Sequence, residues 1–221
     1  MDVHDELAQN RSINNVFIDR GMTIDEVKAL LHAPMPDRER GFYRAVYETF
    51  YRANELLKCN IEDYNRKTGE LIAKHTKNKY NPKTKQKIKS PPKHMKISPA
   101  TMLLFKRIIR NRKKGPIFVN NHGNRLSKTY LQRYIHDQAT RIGIQKISFI
   151  TSTGKKYHLV SIKALREAGE RHADFYGADP EVTARGSQHS MRIKERHYKK
   201  SGWDEICETV RKHHPAFRGD I

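Results

Sequence analysis

The residues best suited to chemistry lie between Ser161 and Lys200, in a segment rich in arginine and lysine. His189 follows Arg166 by 23 residues, and Tyr198 follows His189 by 9. An arginine guanidinium stays charged at any relevant pH and can bind an oxyanion with two parallel hydrogen bonds. A tyrosine hydroxyl can attack as a nucleophile and hold a covalent intermediate. These residue types together favour chemistry at a phosphate ester.

Each of these residues is weak evidence by itself, because the chain has 12 histidines and 10 tyrosines. On chemistry alone, His172 or His197 would serve as well as His189. The joint spacing is what favours His189 and Tyr198 over the other histidines and tyrosines.

The spacing resembles that of the tyrosine recombinases, the family that includes the phage integrases. In that family an arginine in a His-x-x-Arg motif is followed by a glycine, a Gly-His-Ser-like turn and the nucleophilic tyrosine. Here these places are taken by Arg166, Gly177, Gln188-His189-Ser190 and Tyr198. A second match lies upstream, where Thr49-Phe-Tyr-Arg52-Ala-Asn-Glu55-Leu-Leu resembles the family's Thr-Gly-Leu-Arg-x-Ser-Glu-Leu-Leu.

The chain departs from the family pattern at three positions. Phe50 and Gln188 replace glycines, and Lys163 stands where the family has the histidine of His-x-x-Arg. Lysine keeps a charge and a donor but cannot act as a neutral imidazole base near pH 7. The role implied for Lys163 is therefore hydrogen bonding and charge stabilisation. Some recombinases of archaeal mobile elements carry a similar lysine.

The resemblance implies cleavage and rejoining of DNA through a covalent 3′-phosphotyrosine. Arg52 and Arg166 would bind the non-bridging phosphate oxygens, and Tyr198 would attack the phosphorus. His189 would hydrogen-bond the phosphate or orient Tyr198. The bond energy stored in the phosphotyrosine would make the step reversible, so no metal, ATP or other cofactor is expected.

The leaving 5′ oxygen needs a proton, which the family takes from a lysine on a β-hairpin. The segments 71–77 and 94–98 are predicted to be two strands joined by a long loop rich in lysine and proline, which by itself indicates a flexible connection. Lys77, in a Thr-Lys-Asn context, best matches the hairpin lysine, and Lys74 and Lys79 are alternatives.

Composition limits the partners that such a chain can have. Among 221 residues, 44 Lys and Arg face 24 Asp and Glu, which gives a formal net charge of +20. Nucleic acid is the commonest partner of such a surplus, although a ribosomal protein or an anionic membrane would also fit. Apolar residues at 36% exclude a wholly disordered basic tail. The absence of a long apolar run or a signal sequence favours a cytoplasmic protein, and Cys59 and Cys207 indicate neither a metal cluster nor a disulfide.

The periodicity of apolar residues predicts a mainly α-helical domain with a small antiparallel β-sheet or hairpin. A capping box, Thr23-Ile-Asp-Glu26, starts one helix, and a second runs without a break from Asp37 to Leu57. Further helices are expected to begin at Ser98, Ser127, Ser161, Asp179, Ser190 and Trp203, with an extra hairpin between 148 and 161.

We expect residues 1–20 to form an arm or a helix stub, 21–202 the catalytic domain, and 203–221 a C-terminal helix or tail. In the family this last helix often docks on a neighbouring subunit; packing on its own core is the equal alternative. The family's N-terminal DNA-binding domain is not evident, so the chain is either a catalytic fragment or a reduced enzyme. Without that domain, DNA binding should be weak and sensitive to salt.

The expected partner is double-stranded DNA carrying attachment sites of a virus, plasmid or other mobile element. A homotetramer on DNA, and a monomer or weak dimer when free, are implied by the resemblance. Two alternatives stay open: a non-catalytic DNA-binding protein with the same fold, and a type IB topoisomerase-like relaxing enzyme. A ribosomal protein is the weakest alternative, because it would not need this spacing.

Overall fold

A computed structural model of the chain describes residues 21–74, 79–80, 87–88, 92–150, 153–154, 156–187 and 203–221. The helices in these ranges are α1 (Ile24–His32), α2 (Asp37–Thr49), α3 (Ala53–Lys58), α4 (Pro99–Ile109), α5 (Lys128–Arg141), α6 (Ile162–Phe175), α7 (Pro180–Ser187), α8 (Trp203–His213) and α9 (Pro215–Arg218), with a 3₁₀ turn at Ile61–Asp63. The strands are β1 (Glu70–Ala73), β2 (Lys79–Tyr80), β3 (Lys87–Ile88), β4 (Lys93–Lys96), β5 (Ile147–Ile150) and β6 (Lys156–His158). None of these helices combines the length and apolar character needed to cross a membrane.

Polar side chains start the helices where the sequence predicts. The Thr23 hydroxyl accepts from the backbone N–H of Glu26 at 3.2 Å, and the Glu26 carboxylate accepts from the backbone N–H of Thr23 at 2.9 Å. Ser98, Ser127 and Ser161 each accept from the N–H three residues later and so cap α4, α5 and α6. These contacts satisfy backbone donors that have no partner inside a helix.

The prediction of one long helix from Asp37 to Leu57 is wrong, because the chain turns sharply at Phe50. Phe50 adopts the left-handed conformation, with φ 55° and ψ 21°, and separates α2 from α3. This conformation costs a non-glycine residue about 1–2 kcal/mol. Full burial of the Phe50 ring contributes roughly 1.5–3 kcal/mol. The turn that the family makes with glycine is therefore made here by a buried phenylalanine.

The two predicted strands pair as an antiparallel ladder. β1 lies against β4 with Leu71 opposite Met95 and Ala73 opposite Lys93. Part of the lysine-rich connection is also regular, since β2 pairs with β3 through Lys79 and Ile88. The second predicted hairpin is confirmed by the pairing of β5 with β6.

Helix α2 lies at the centre of the fold, and its residues 41–49 are all buried. α4 packs on one side of it and α6 on another. α6 comes very close to α2 at Gly169, where a Cβ atom would lie 2.1 Å from the carbonyl oxygen of Tyr47. Only a residue without a side chain allows the two backbones to come so close. This contact fixes α6, and so Arg166, against the end of α2.

The C-terminal helices pack against the core of their own chain. The Cys207 thiol on α8 lies 3.0 Å from the carbonyl oxygen of His94. The ring of His214, which caps α9, is fully buried and lies 3.0 Å from the carbonyl oxygen of Tyr47. These contacts lie within one chain, and docking of this segment on a neighbouring subunit stays a prediction.

Two buried histidines should make the fold sensitive to acid. Nδ1 of His172 lies 2.9 Å from the Tyr47 hydroxyl and Nε2 lies 2.9 Å from the carbonyl oxygen of Met22. Burial lowers the pKa of His172 to about 4 and that of His214 to about 3. Both imidazoles stay neutral in the folded chain, whereas in the unfolded chain they bind a proton below pH ~6.5. The contribution that they make to the free energy of unfolding above that pH is therefore lost as the pH falls.

We therefore expect the free energy of unfolding to fall between pH 7.5 and pH 5, by up to about 2 kcal/mol for each histidine. Urea unfolding at both pH values measures this difference. A His172→Gln variant should be less stable at pH 7.5 but less sensitive to acid, whereas His122→Gln, at an exposed position, should behave like the parent. Equal acid sensitivity in all three chains would contradict the assignment to buried histidines.

Candidate active site

Arg52 is held at the start of α3 by the first turn of that helix. Its backbone N–H donates to one carboxylate oxygen of Glu55 at 2.9 Å, and its guanidinium donates to the other at 2.9 Å. A glutamate at the third helical position is well placed to reach back in this way. About 31% of the Arg52 side chain is exposed. The guanidinium is therefore oriented by the protein and open to solvent.

Glu55 is also bound by a lysine that lies inside the protein. Nζ of Lys93 on β4 donates to Glu55 Oε2 at 2.9 Å, and the Lys93 side chain has no exposed surface. Burial raises the pKa of Glu55, but Lys93 and Arg52 lower it more, so the carboxylate is held ionised. Burial lowers the pKa of Lys93 to about 8, although Glu55 opposes that shift. Glu55 thus connects one partly exposed cation, Arg52, with one buried cation, Lys93.

Arg166 comes from the middle of α6 and joins two distant turns. Its Nε donates to the carbonyl oxygen of Phe50, and its Nη2 donates to that of Ser187 at the end of α7. Burial and the positive charge of Arg52 lower the pKa of Arg166, but a guanidinium remains charged near neutral pH. The contact with Phe50 places Arg166 next to the turn that leads into Arg52.

The Arg166 guanidinium is bound to the turn that leads into Arg52, and the charge on Arg52 helps to lower the pKa of Arg166. Like charges repel in a partly buried site, and an anion bound between them would relieve the repulsion. Two planar cations, one bound to the Glu55 carboxylate and the other to the backbone of the Phe50 turn, suit the oxygens of a phosphodiester. The arrangement of Arg52 and Arg166 therefore favours an anion-binding site.

Lys163 lies on the first turn of α6, one turn before Arg166, and points to solvent. Its side chain is 81% exposed, and Nζ is 3.3 Å from a carboxylate oxygen of Glu167. An exposed pair of this kind contributes little stability. The structure places Lys163 on the same helix as Arg166 but bound to Glu167, so its role in the site stays a prediction.

Three of the predicted site residues, Lys77, His189 and Tyr198, lie outside the described residues. Of the alternatives to Lys77, Lys74 is exposed just after β1 and Lys79 begins β2. Ser187, whose carbonyl oxygen accepts from the Arg166 guanidinium, precedes His189 by two residues in the sequence. The structure thus brings together Arg52 and Arg166 among the residues predicted to be catalytic.

Sequence reasoning missed the part played by Lys93. The signal lay in the alternation of β4, where Lys93 shares a strand face with the buried Met95, while His94 and Lys96 share the other. A lysine on the buried face of a strand needs a partner of opposite charge. Glu55, three residues after Arg52 in the motif, is that partner.

A curated protein and several solved structures are similar to this chain. "Tyrosine recombinase XerC" of Thermodesulfovibrio yellowstonii is 27% identical over 225 residues, which covers 95% of this chain and 68% of that protein. The integrase of mycobacterium phage Brujita superposes with a TM-score of 0.64 over 90% of this chain at 12% identity. XerH site-specific recombinase bound to its difH substrate superposes with a TM-score of 0.58 over 92% of this chain at 15% identity. No protein-family model matches the chain.

The solved structures are longer than this chain. It spans 59% of the phage integrase and 53% of the XerH chain. At these identities the structural likeness establishes the fold, which is mainly helical with small antiparallel sheets, as the sequence predicts. The likeness in sequence to a recombinase covers nearly the whole chain and so includes both arginines of the site.

Proposed function

We propose that this chain, which belongs to the tyrosine recombinase family, cleaves and rejoins DNA strands as a site-specific recombinase or integrase. Tyr198 Oη attacks the scissile phosphorus and loses its proton to water or a neighbouring base. A P–O bond to Tyr198 forms, the P–O5′ bond breaks, and the 5′ oxygen leaves as a hydroxyl. Attack by a 5′ hydroxyl from another strand reverses these changes and rejoins the DNA without ATP.

One observation carries the proposal: Arg52 and Arg166, distant in sequence, meet at the Phe50 turn. Both would bind the non-bridging oxygens and stabilise the charge that grows on them in the transition state. Lys163 would add a further donor once released from Glu167. Lys77 is the proposed acid for the leaving oxygen, and His189 the proposed hydrogen-bond partner of the phosphate or of Tyr198.

The formal net charge of +20 supports double-stranded DNA as the partner, and XerH is a relative whose structure is bound to its difH substrate. Recombination joins two DNA sites, so we propose that four copies assemble on paired sites and that the free protein is a monomer or weak dimer. The cell interior, where the DNA of a host and of a mobile element meet, is the proposed location.

The test uses a nicked duplex that carries the presumed attachment site, so that the cleaved strand loses a short fragment and cannot be resealed. We expect a covalent protein–DNA band on a denaturing gel, formed in the presence of EDTA. A supercoiled plasmid with one site and a pair of linear duplexes with one site each are tested in parallel.

Each result leads to a different conclusion. A covalent band with joined duplex products supports a recombinase. A band with relaxed plasmid but no joined products would instead support a topoisomerase-like enzyme. Tight binding to the same duplex without any band would overturn strand cleavage and favour a non-catalytic DNA-binding protein.

A further inference from the structure

Lys93 is the feature of the site that the proposed reaction does not yet use. It is fully buried, although lysine is among the residues least often found inside a protein. A fully buried ammonium is unfavourable unless a partner of opposite charge binds it. Its position next to a partly exposed arginine therefore calls for a reason beyond packing.

The groups around Lys93 come from three parts of the chain. Glu55 and Arg52 face it from the start of α3, and Arg166 faces it from α6. The positive charges of both arginines lower the pKa of Lys93. The ammonium lies 5.6 Å from the centre of the Tyr51 ring. The Tyr51 hydroxyl lies 2.9 Å from the Lys93 carbonyl oxygen.

Two thiols bind the strands on which Lys93 and its neighbours lie. The Cys207 thiol lies 3.0 Å from the carbonyl oxygen of His94, and the Cys59 thiol lies 3.5 Å from that of Ile72. Burial raises the pKa of Cys59 well above its ordinary value. Burial likewise holds the pKa of Tyr51 well above its ordinary value. Tyr51 and Cys59 therefore stay neutral near pH 8. Among the described residues, Glu55 is the carboxylate that accepts a hydrogen bond from the Lys93 ammonium.

Glu55 divides its two oxygens between the two cations. Oε1 accepts from the guanidinium of Arg52, and Oε2 accepts from the ammonium of Lys93. If Lys93 lost its charge, the full charge of Glu55 would act on Arg52. A guanidinium whose charge is offset by a carboxylate attracts a phosphate less strongly. Its N–H donors are also bound by that carboxylate, so fewer of them remain for the phosphate oxygens.

We propose that Lys93 is a positioning residue for strand cleavage, whose buried positive charge offsets Glu55 so that the guanidinium of Arg52 can bind the scissile phosphate. This inference rests on the proposed function. Lys93 acts through Glu55 and Arg52 and gives no proton to the DNA. Loss of its proton therefore weakens the site, and cleavage should decline as the pH rises through about 8, where the pKa of Lys93 lies.

The test measures the rate of covalent complex formation between pH 6 and pH 10 on two nicked duplexes. One has the natural 5′ oxygen as leaving group, and the other has sulfur there, which leaves without a proton donor. On both substrates we expect Lys93→Met to lower the rate at pH 7 by about 10²-fold. Lys93→Arg, which keeps the charge, should cleave, and the decline above pH 8 should disappear.

A second change separates charge balance from simple disruption. Adding Glu55→Gln to Lys93→Met removes both buried charges at nearly constant volume. If the role of Lys93 is to offset the charge of Glu55, this double variant should cleave at least tenfold faster than Lys93→Met alone. Should Lys93→Met fail to fold by circular dichroism, the wild-type and Lys93→Arg pH profiles decide the matter alone.

Three results would overturn the inference: a normal rate for Lys93→Met, rescue of that variant by the sulfur substrate, or an unchanged decline above pH 8 in Lys93→Arg. Rescue by sulfur would mean that Lys93 donates the proton. A wild-type chain that forms no adduct with either duplex refutes the proposed function itself. An active wild type with an equally active Lys93→Met refutes only the role of Lys93.

Discussion

Replacing Arg52 by alanine is expected to lower the rate of covalent complex formation by about 10³-fold. The Arg52 guanidinium is open to solvent, and Glu55 and the Phe50 turn hold it in place. Its loss removes a charge that is oriented before the substrate arrives. Arg52→Lys keeps a charge but loses the planar fork, so its rate should fall between those of the wild type and the alanine variant. Single-turnover cleavage of the nicked duplex measures all three rates.

Arg107→Ala is the matched control for this experiment. Arg107 lies on the exposed surface of α4, where its guanidinium is 3.3 Å from the Asp37 carboxylate. Its replacement removes the same formal charge from the protein, and so weakens non-specific attraction to DNA to a similar degree. If Arg52→Ala cleaved within tenfold of Arg107→Ala, Arg52 would contribute general charge rather than a bound phosphate.

Replacing Gly169 by alanine should destabilise the fold by about 3 kcal/mol or more, because the new Cβ atom meets backbone. The Tyr47 carbonyl oxygen would lie 2.1 Å and its carbon 3.0 Å from that atom. Backbone of the central helix cannot move aside as a side chain can, so α6 must shift away from α2. The shift would also draw Arg166 from the Phe50 carbonyl, and cleavage should be lost even at temperatures where the variant stays folded.

Thermal unfolding measures this effect, and Gly41→Ala provides the comparison. The Cβ atom at Gly41, in α2, would lie 2.6 Å from Cδ1 of Ile108, which is the end of a flexible side chain. Ile108 can rotate away, and alanine favours a helix over glycine by up to about 1 kcal/mol. We expect a change within about 1 kcal/mol for Gly41→Ala. Equal losses at Gly41 and Gly169 would contradict the close approach of the two helices.

Local signals in the sequence predicted much of this fold. Thr23, Ser98, Ser127 and Ser161 cap helices where they were expected to, because a cap depends on residues only three positions apart. The break at Phe50 could not be predicted in this way. Its unfavourable backbone conformation is offset by burial in a core that forms from distant parts of the chain.

The site shows the same division between local and distant information. Family spacing indicated Arg52 and Arg166, and the structure brings both to the Phe50 turn. The spacing gave no sign of Lys93, since a lysine on a short strand is usually solvent-exposed. Its burial depends on pairing with Glu55, which lies 38 residues earlier in the chain.

The most direct test of the account is to identify the residue that carries the DNA. The covalent complex is digested with nuclease and protease, and the modified peptide is sequenced by mass spectrometry. We predict a nucleotide attached to Tyr198, no complex with Tyr198→Phe, and normal complex formation with Tyr157→Phe, a change at a half-exposed tyrosine on β6. A nucleotide on any other residue, or a complex that persists in Tyr198→Phe, would contradict the proposed phosphotyrosine chemistry.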